Sequence, residues 1–265
     1  TSATNSNNTA VGFSAGESVT TGTINTVIGA QAGNDITSGV ENTLVGGLAG
    51  DALTDADFNV AIGSGSLGTD TQGSRTVAIG RNALLNQNFS SATNANNTAV
   101  GYESGRNTTT GLDNTYLGSN AGYATTDSDD NVAIGRSALA TNTLGSRSTA
   151  VGSQALNAQN PDSATNMLNV AVGYHAGNDV TTGVQNTFIG SLAGDANTTG
   201  NENVALGYNA LGANVSGDRT VAIGYGALAA QNNGTSTFDS NNVAVGYHAA
   251  VGITTGTRNV AVGAD

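Results

Sequence analysis

Asn131-Val132-Ala133-Ile134-Gly135 is one copy of a motif, Thr/Val-x-Val/Ile/Leu-Gly, that frames the whole chain. Its glycine recurs at Gly12, Gly29, Gly46, Gly63, Gly80, Gly101, Gly118, Gly135, Gly152, Gly173, Gly190, Gly207, Gly224, Gly246 and Gly263, fifteen copies in all. Eleven of the fourteen spacings are 17 residues, two are 21 and one is 22. Such regularity predicts stacked coils, because a unit this short cannot bury an apolar face alone. Gly and β-branched residues recur too densely for a long helix, and only Ala-Leu pieces such as Asn82-Ala83-Leu84-Leu85 could make a helical turn. The expected fold is all-β, a parallel β-solenoid or β-roll of about fifteen 17-residue coils.

Within a coil, the residue before the motif Gly is aliphatic in every copy, and the residue three before it is Thr or Val. Positions two apart share a strand face, so these two columns are expected to form the core. The residue between them is Ala in eleven of fifteen coils, which predicts a smooth outer wall that another chain could approach. The exceptions are Val27, Leu44, Tyr116 and Phe188. Tyr116 and Phe188 stand 72 residues apart and are expected to interlock subunits. The motif Gly ends the strand, and a second Gly ten residues later in most coils marks another turn. Each coil thus reads as strand, turn, short strand, turn. Asn stands four residues before the motif Gly in twelve of fifteen coils, which predicts a ladder of stacked side-chain amides.

A longer period overlies the short one. The three exceptions to the Asn column, Thr76, Ser148 and Thr220, are 72 residues apart, and each follows an Arg (Arg75, Arg147, Arg219). Four residues after the motif Gly the chain runs Gly105, Gly122, Leu139, Leu156, and then Gly177, Gly194, Leu211, Leu228. The long spacings insert residues near Gln87-Asn88, Gln159-Asn160 and Gln231-Asn232, so loops should recur roughly every 19 Å at the usual strand separation. Residues 1–265 read as a single continuous array with super-repeats near 29–100, 101–172 and 173–245. Thr4 sits in a Ser-Ala-Thr-Asn segment like those of Thr93 and Thr165, so the chain is expected to be a fragment of a longer fibre.

Composition narrows the function classes. Gly is 38 of 265 residues, Pro occurs once, and Cys and Trp are absent, so neither a collagen helix nor a disulfide scaffold is encoded. The formal charge is −12 with only seven positive charges, all on Arg, and such a chain offers no basic stripe for nucleic acid. No apolar run reaches the roughly 20 residues of a membrane span, so no membrane insertion by this segment is expected.

The copies Asn131 to Gly135 and Thr220-Val221-Ala222-Ile223-Gly224 resemble the head repeat of YadA-like trimeric autotransporter adhesins. Variants such as Asn96 to Gly101 are similar to repeats in phage tail-fibre proteins. The resemblance covers the whole chain. It implies a left-handed parallel β-roll, a side-by-side homotrimer, and an extracellular place on a cell surface or virion tail fibre. There the segment would act as a rigid spacer and a multivalent attachment surface for a host or cell-surface glycan or protein. It implies no catalytic residues.

The residues themselves also point away from catalysis. No Ser lies in a strand-elbow motif with a His and an acid to activate it, so the chain is expected not to be an enzyme, with no cofactor and no metal site. Asp127-Ser128-Asp129-Asp130 and the segment Asp51 to Asp57 fit neither an EF-hand nor a calcium β-roll repeat and read as solvated turns. The two histidines, His175 and His248, follow Tyr174 and Tyr247 at equivalent repeat positions. These four, with Tyr102, are the candidate surface contacts. Thr-Thr-Gly also recurs, at Thr20-Thr21, Thr109-Thr110, Thr181-Thr182, Thr198-Thr199 and Thr254-Thr255, which leaves an ice-binding β-solenoid as the alternative reading. A polysaccharide-cleaving solenoid would instead require a carboxylate cluster in a groove.

Overall fold

The computed structural model describes residues 6–232, 234 and 238–264, and among them there is no helix. Each motif copy forms a three-residue strand, and the chain is an all-β parallel solenoid of about fifteen turns. It divides into two compact units, residues 1–130 and 131–265. The first unit carries seven motif strands, from Thr9–Val11 to Thr115–Leu117, and the second carries eight, from Val132–Ile134 to Val260–Val262. Within each unit the strands pair in parallel and identical offsets face one another. Thr43, Leu44 and Val45 pair with Val60, Ala61 and Ile62 in the first unit. Thr187, Phe188 and Ile189 pair with Val204, Ala205 and Leu206 in the second.

The axial stacking agrees with the sequence, but the two strand faces are exchanged. Ala61, Ala78, Ala133, Ala205 and Ala222 are fully buried, whereas the flanking aliphatic column faces outward, with Ile28 38% exposed, Leu117 46% and Leu206 43%. The interior of a coil is narrow, and the small residue three after the motif Gly, such as Ala83 or Ala155, is buried along with the central strand residue. Only a methyl fits there in most coils, so the β-branched side chains are left on the outer surface. Tyr116 and Phe188 follow their column inward and are 0% exposed. Enclosed by their own coils, they have no surface with which to interlock a second chain.

Room for those rings comes from the corner position four residues after the motif Gly. A Cβ at Gly177 would lie 2.8 Å from the Phe188 ring, and one at Gly194 would lie 2.5 Å from it. Gly105 and Gly122 flank Tyr116 in the same way. At Leu139, Leu156, Leu211 and Leu228, all fully buried, the strand residue of the coil and that of the next coil are both Ala. The Gly-Gly-Leu-Leu period is therefore a volume exchange between two positions on opposite sides of the coil.

The Asn column forms the expected ladder in the interior. Asn42 Oδ1 accepts the backbone N–H of Asn59 at 3.0 Å, while Asn42 Nδ2 donates to the carbonyl of Ala56 at 2.8 Å. Asn186 does the same toward Asn203 and Gly200. Each amide thus ties its own strand to the turn fourteen residues on and to the next coil. Ser and Thr lack the carbonyl oxygen that continues the ladder, and at those breaks a buried Gln reaches across from the long coil. Gln159 Oε1 accepts from the Ser148 hydroxyl at 3.1 Å and from Asn169 Nδ2 at 3.0 Å. Gln87 links Thr76 to Asn97, and Gln231 links Thr220 to Asn242, but there the Gln Nε2 donates to the Thr hydroxyl while its Oε1 accepts from the Asn Nδ2.

Among the described residues the expected second strand forms only beside the insertions, where Gly73–Ser74 pairs with Thr93–Asn94, Gly145–Ser146 with Thr165–Asn166, and Gly217–Asp218 with Phe238–Asp239. Elsewhere a turn replaces it. Thr37, Ser38 and Gly39 all donate their backbone N–H to the single carbonyl of Thr54. Thr4 and part of the third insertion lie outside the described residues.

Tight coils need left-handed backbone. The residue five before the motif Gly has positive φ in every coil, including Ile24 (62°), Phe58 (60°) and Arg219 (56°). For such residues this conformation is costly, and it persists because the stack over-determines it. The N–H of Phe58 is pinned to Val40, that of Arg75 to Asp57 and that of Arg219 to Asn201. At the motif Gly itself φ is near +135°, as in Gly118, and a Cβ at Gly101 would lie 2.5 Å from the Gly118 carbonyl oxygen. No side chain fits there.

Candidate functional site

Four surfaces of a coil could meet a partner: the outward strand face, the position after the motif Gly, the Thr edge and the acidic turns. The strand face is the most apolar. In the first unit it carries Ile28, Ile62 and Leu117, and in the second Val172, Ile189 and Leu206, all among the exposed large hydrophobics. In-register pairing places these side chains one above another, so they form a continuous aliphatic strip within each unit. Isolated exposed aliphatics are ordinary, whereas contiguous ones mark an interface.

Immediately beyond this strip, on the residue after the motif Gly, lies a row of aromatics. Tyr208 and Tyr225 stack at 5.1 Å, and Tyr225 and Tyr247 at 5.3 Å, with planes within 20° of parallel. His248 lies flat on Tyr247 at 4.3 Å and also packs on Tyr225. Tyr174 packs on its own neighbour, His175, at 4.1 Å. Tyr102 lies beneath the Arg81 guanidinium, 5.9 Å from the ring centroid. All five candidate contact residues are therefore on the surface or at its edge, and Tyr247 and His248 come together in one stack. Sequence reasoning missed Tyr208 and Tyr225, although both stand at the same offset as Tyr174 and Tyr247.

The Thr edge is already used by the protein. In three of the recurring pairs the first Thr donates its hydroxyl to the backbone of the next coil, Thr20 Oγ1 to Thr37 at 3.1 Å, Thr181 Oγ1 to Thr198 at 3.1 Å and Thr198 Oγ1 to Val215 at 3.0 Å. These hydroxyls are structural staples rather than a free lattice.

Acidic turns are similarly engaged. Asp127 accepts from the hydroxyls of Thr109 and Thr110, and Asp129 from the backbone N–H of Leu112. Asp57 accepts from the N–H of Val40 at 2.8 Å. Among the described residues no group of three or more His, Cys, Asp or Glu side chains is arranged to hold a metal ion. Burial raises the carboxyls of Asp51 and Asp195 above the ordinary aspartate range, and the neighbouring charges of Asp35 and Asp179 add to the rise. The strongest displacement is that of the Tyr116 phenol, which burial holds above the usual tyrosine value. The hydroxyls of Thr108 and Thr125 oppose that rise, yet no well-aligned hydrogen bond joins the three groups. At Arg219 an exposed ion network forms, with Glu202 at 2.8 Å and Asp239 at 2.7 Å.

No protein-family model matches the chain, and no curated protein matches it either.

Proposed function

We propose that this chain is a non-enzymatic structural and adhesive segment of an extracellular homotrimeric fibre, of the kind found in surface adhesins and phage tail fibres. It acts as a rigid spacer whose repeated outer positions give many weak contacts with a cell-surface partner. The observation that carries this reading is the outward aliphatic strip of the motif strands, typified by Ile189 at 38% and Leu206 at 43% exposure. A flat row of aliphatic side chains gains roughly 25 cal/mol for each Å² removed from water, and a second copy of the same strip in the same register complements it. Three chains around an axis cover all three strips. The homotrimer first expected along the Ala wall is thus reassigned to the opposite strand face.

Static light scattering tests the assembly. A mass near three times 26.0 kDa supports it, and a mass of 26.0 kDa rejects it. Replacing Ile189 and Leu206 together with Lys places like charges on the strip and should shift the mass to that of the single chain. The ice-binding alternative is disfavoured by the hydroxyls of Thr20 and Thr181, which bond the backbone within the stack. Clear thermal hysteresis would revive it.

A further inference from the structure

The aromatic row in the second unit has one missing step. Tyr174 and Tyr208 stand at the same offset in coils two apart, and the coil between them carries Ser191 at that offset. Ring-to-ring spacing between successive coils of the same row is 5.1 and 5.3 Å. Two steps therefore separate Tyr174 from Tyr208 by about 10 Å, twice the ordinary strand separation. Tyr208 is covered on one side by Tyr225 and has no ring on the side toward Ser191. Both tyrosines flanking the gap are about half exposed, Tyr174 at 53% and Tyr208 at 47%.

We propose that the gap between Tyr174 and Tyr208, floored by Ser191, is a monosaccharide slot that takes one neutral pyranose ring of a glycan. This deepens the attachment part of the reading above and rests on it. The slot is one ring layer wide, since rings of successive coils in this row lie 5.1 and 5.3 Å apart, a separation at which ring faces are in contact. A puckered pyranose fits that layer, and its axial hydrogens on both faces reach both walls. Those hydrogens carry slight positive charge and meet the negative face of a tyrosine ring. Ser191, half-buried between the two tyrosines in sequence register, contributes a hydroxyl for the ring's substituents.

Polar groups at the margin point the same way. His175 Nε2, Asn178 Oδ1 and Asp195 Oδ1 are covered yet have no hydrogen-bond partner, a costly state for buried polar atoms. His175 packs on Tyr174 and lies near enough to Asp195 to oppose the rise of its carboxyl. Small rotations toward a bound polyol would satisfy these atoms. The nearby carboxyls of Asp179 and Asp195 repel an anionic sugar, so a neutral ring is favoured over a sialylated one.

Saturation-transfer difference NMR on the intact chain, with lactose, chitobiose and maltose as separate probes, tests the slot. Transfer to at least one sugar is expected. It should fall about tenfold in Tyr208→Ser, the loss of one aromatic contact. Ser191→Tyr extends the existing ladder by one ring, so it should preserve the fold and abolish transfer by filling the slot. Absence of transfer to all three sugars, or transfer undiminished in Ser191→Tyr, overturns the proposal. Light scattering on the same samples separates the two readings. A trimer without sugar binding removes the slot alone, whereas a single chain that binds sugar keeps the slot and removes the trimer.

Discussion

Phe188 and Gln159 lie in the same unit and fill the same kind of cross-section with opposite chemistry. Around Phe188 the corners are Gly177 and Gly194, and the fully buried ring occupies the space beside them. Around Gln159 the strand residues are Ala150 and Ala171, the corners are Leu139 and Leu156, and a buried amide joins Ser148 to Asn169. The outline of the coil hardly changes. What changes is which position supplies the volume, and whether the interior is tied by dispersion or by hydrogen bonds. The apolar coils tolerate no extra atom at the corner, and the polar coils tolerate no missing hydrogen bond.

The largest effect is expected at the ring. Phe188→Ala should cost about 3–5 kcal/mol in chemical denaturation, because Gly177 and Gly194 cannot close the cavity. Adding Gly194→Leu to that variant should recover part of the loss, since Leu beside Ala is the solution the neighbouring coils use. A double variant no better than Phe188→Ala would break the volume-exchange account. The amide comes next. Gln159→Leu keeps the size but strands the Ser148 hydroxyl and the Asn169 amide, which should cost about 1–3 kcal/mol. A loss within about 0.5 kcal/mol, as at an ordinary surface site, would mean that the amide only fills space.

The smallest effect concerns pH. The folded state raises the carboxyl of Asp195 above its ordinary value, so the folded chain holds that proton more tightly than the unfolded chain. The stabilisation is complete below the ordinary aspartate value of 3.8 and is lost as pH rises through the raised one. Thermal stability should therefore increase on acidification from pH 7 toward the ordinary range. Repulsion within a chain of formal charge −12 weakens in the same direction. Asp195→Asn should flatten the slope and raise the melting temperature at neutral pH, and an unchanged slope would refute the assignment.

Much of this architecture is readable from spacing alone. The motif Gly fixes the register because no Cβ fits at φ near +135°. The Asn column declares itself because a buried amide ladder admits few substitutes, and its three breaks coincide with the Gln residues that repair them. Which strand face points inward was not readable. A period of two says which residues share a face, and burial usually follows the larger aliphatics, but here the coil is so narrow that Ala goes in and Ile goes out. Tyr116 and Phe188 were misplaced for the same reason, and the Gly pairs beside them were the overlooked signal. Left-handed residues such as Phe58 and Arg219 leave no trace in composition, because neighbouring coils impose that conformation. Of the candidate site, the histidine-tyrosine pairs were visible, while Tyr208, Tyr225 and the Ser191 gap emerge only when one offset is followed from coil to coil.

We propose that aliphatic side chains of the motif strands meet across subunits, whereas the alanines between them stay inside one coil. Isotope-filtered methyl NOEs, recorded on an assembly refolded from equal parts of methyl-labelled and unlabelled chains, address it directly. Ile189 and Leu206 methyls should show contacts to protons of another chain, and the Ala205 methyl should show none. Interchain contacts at Ala205, or none at either aliphatic, would contradict the account.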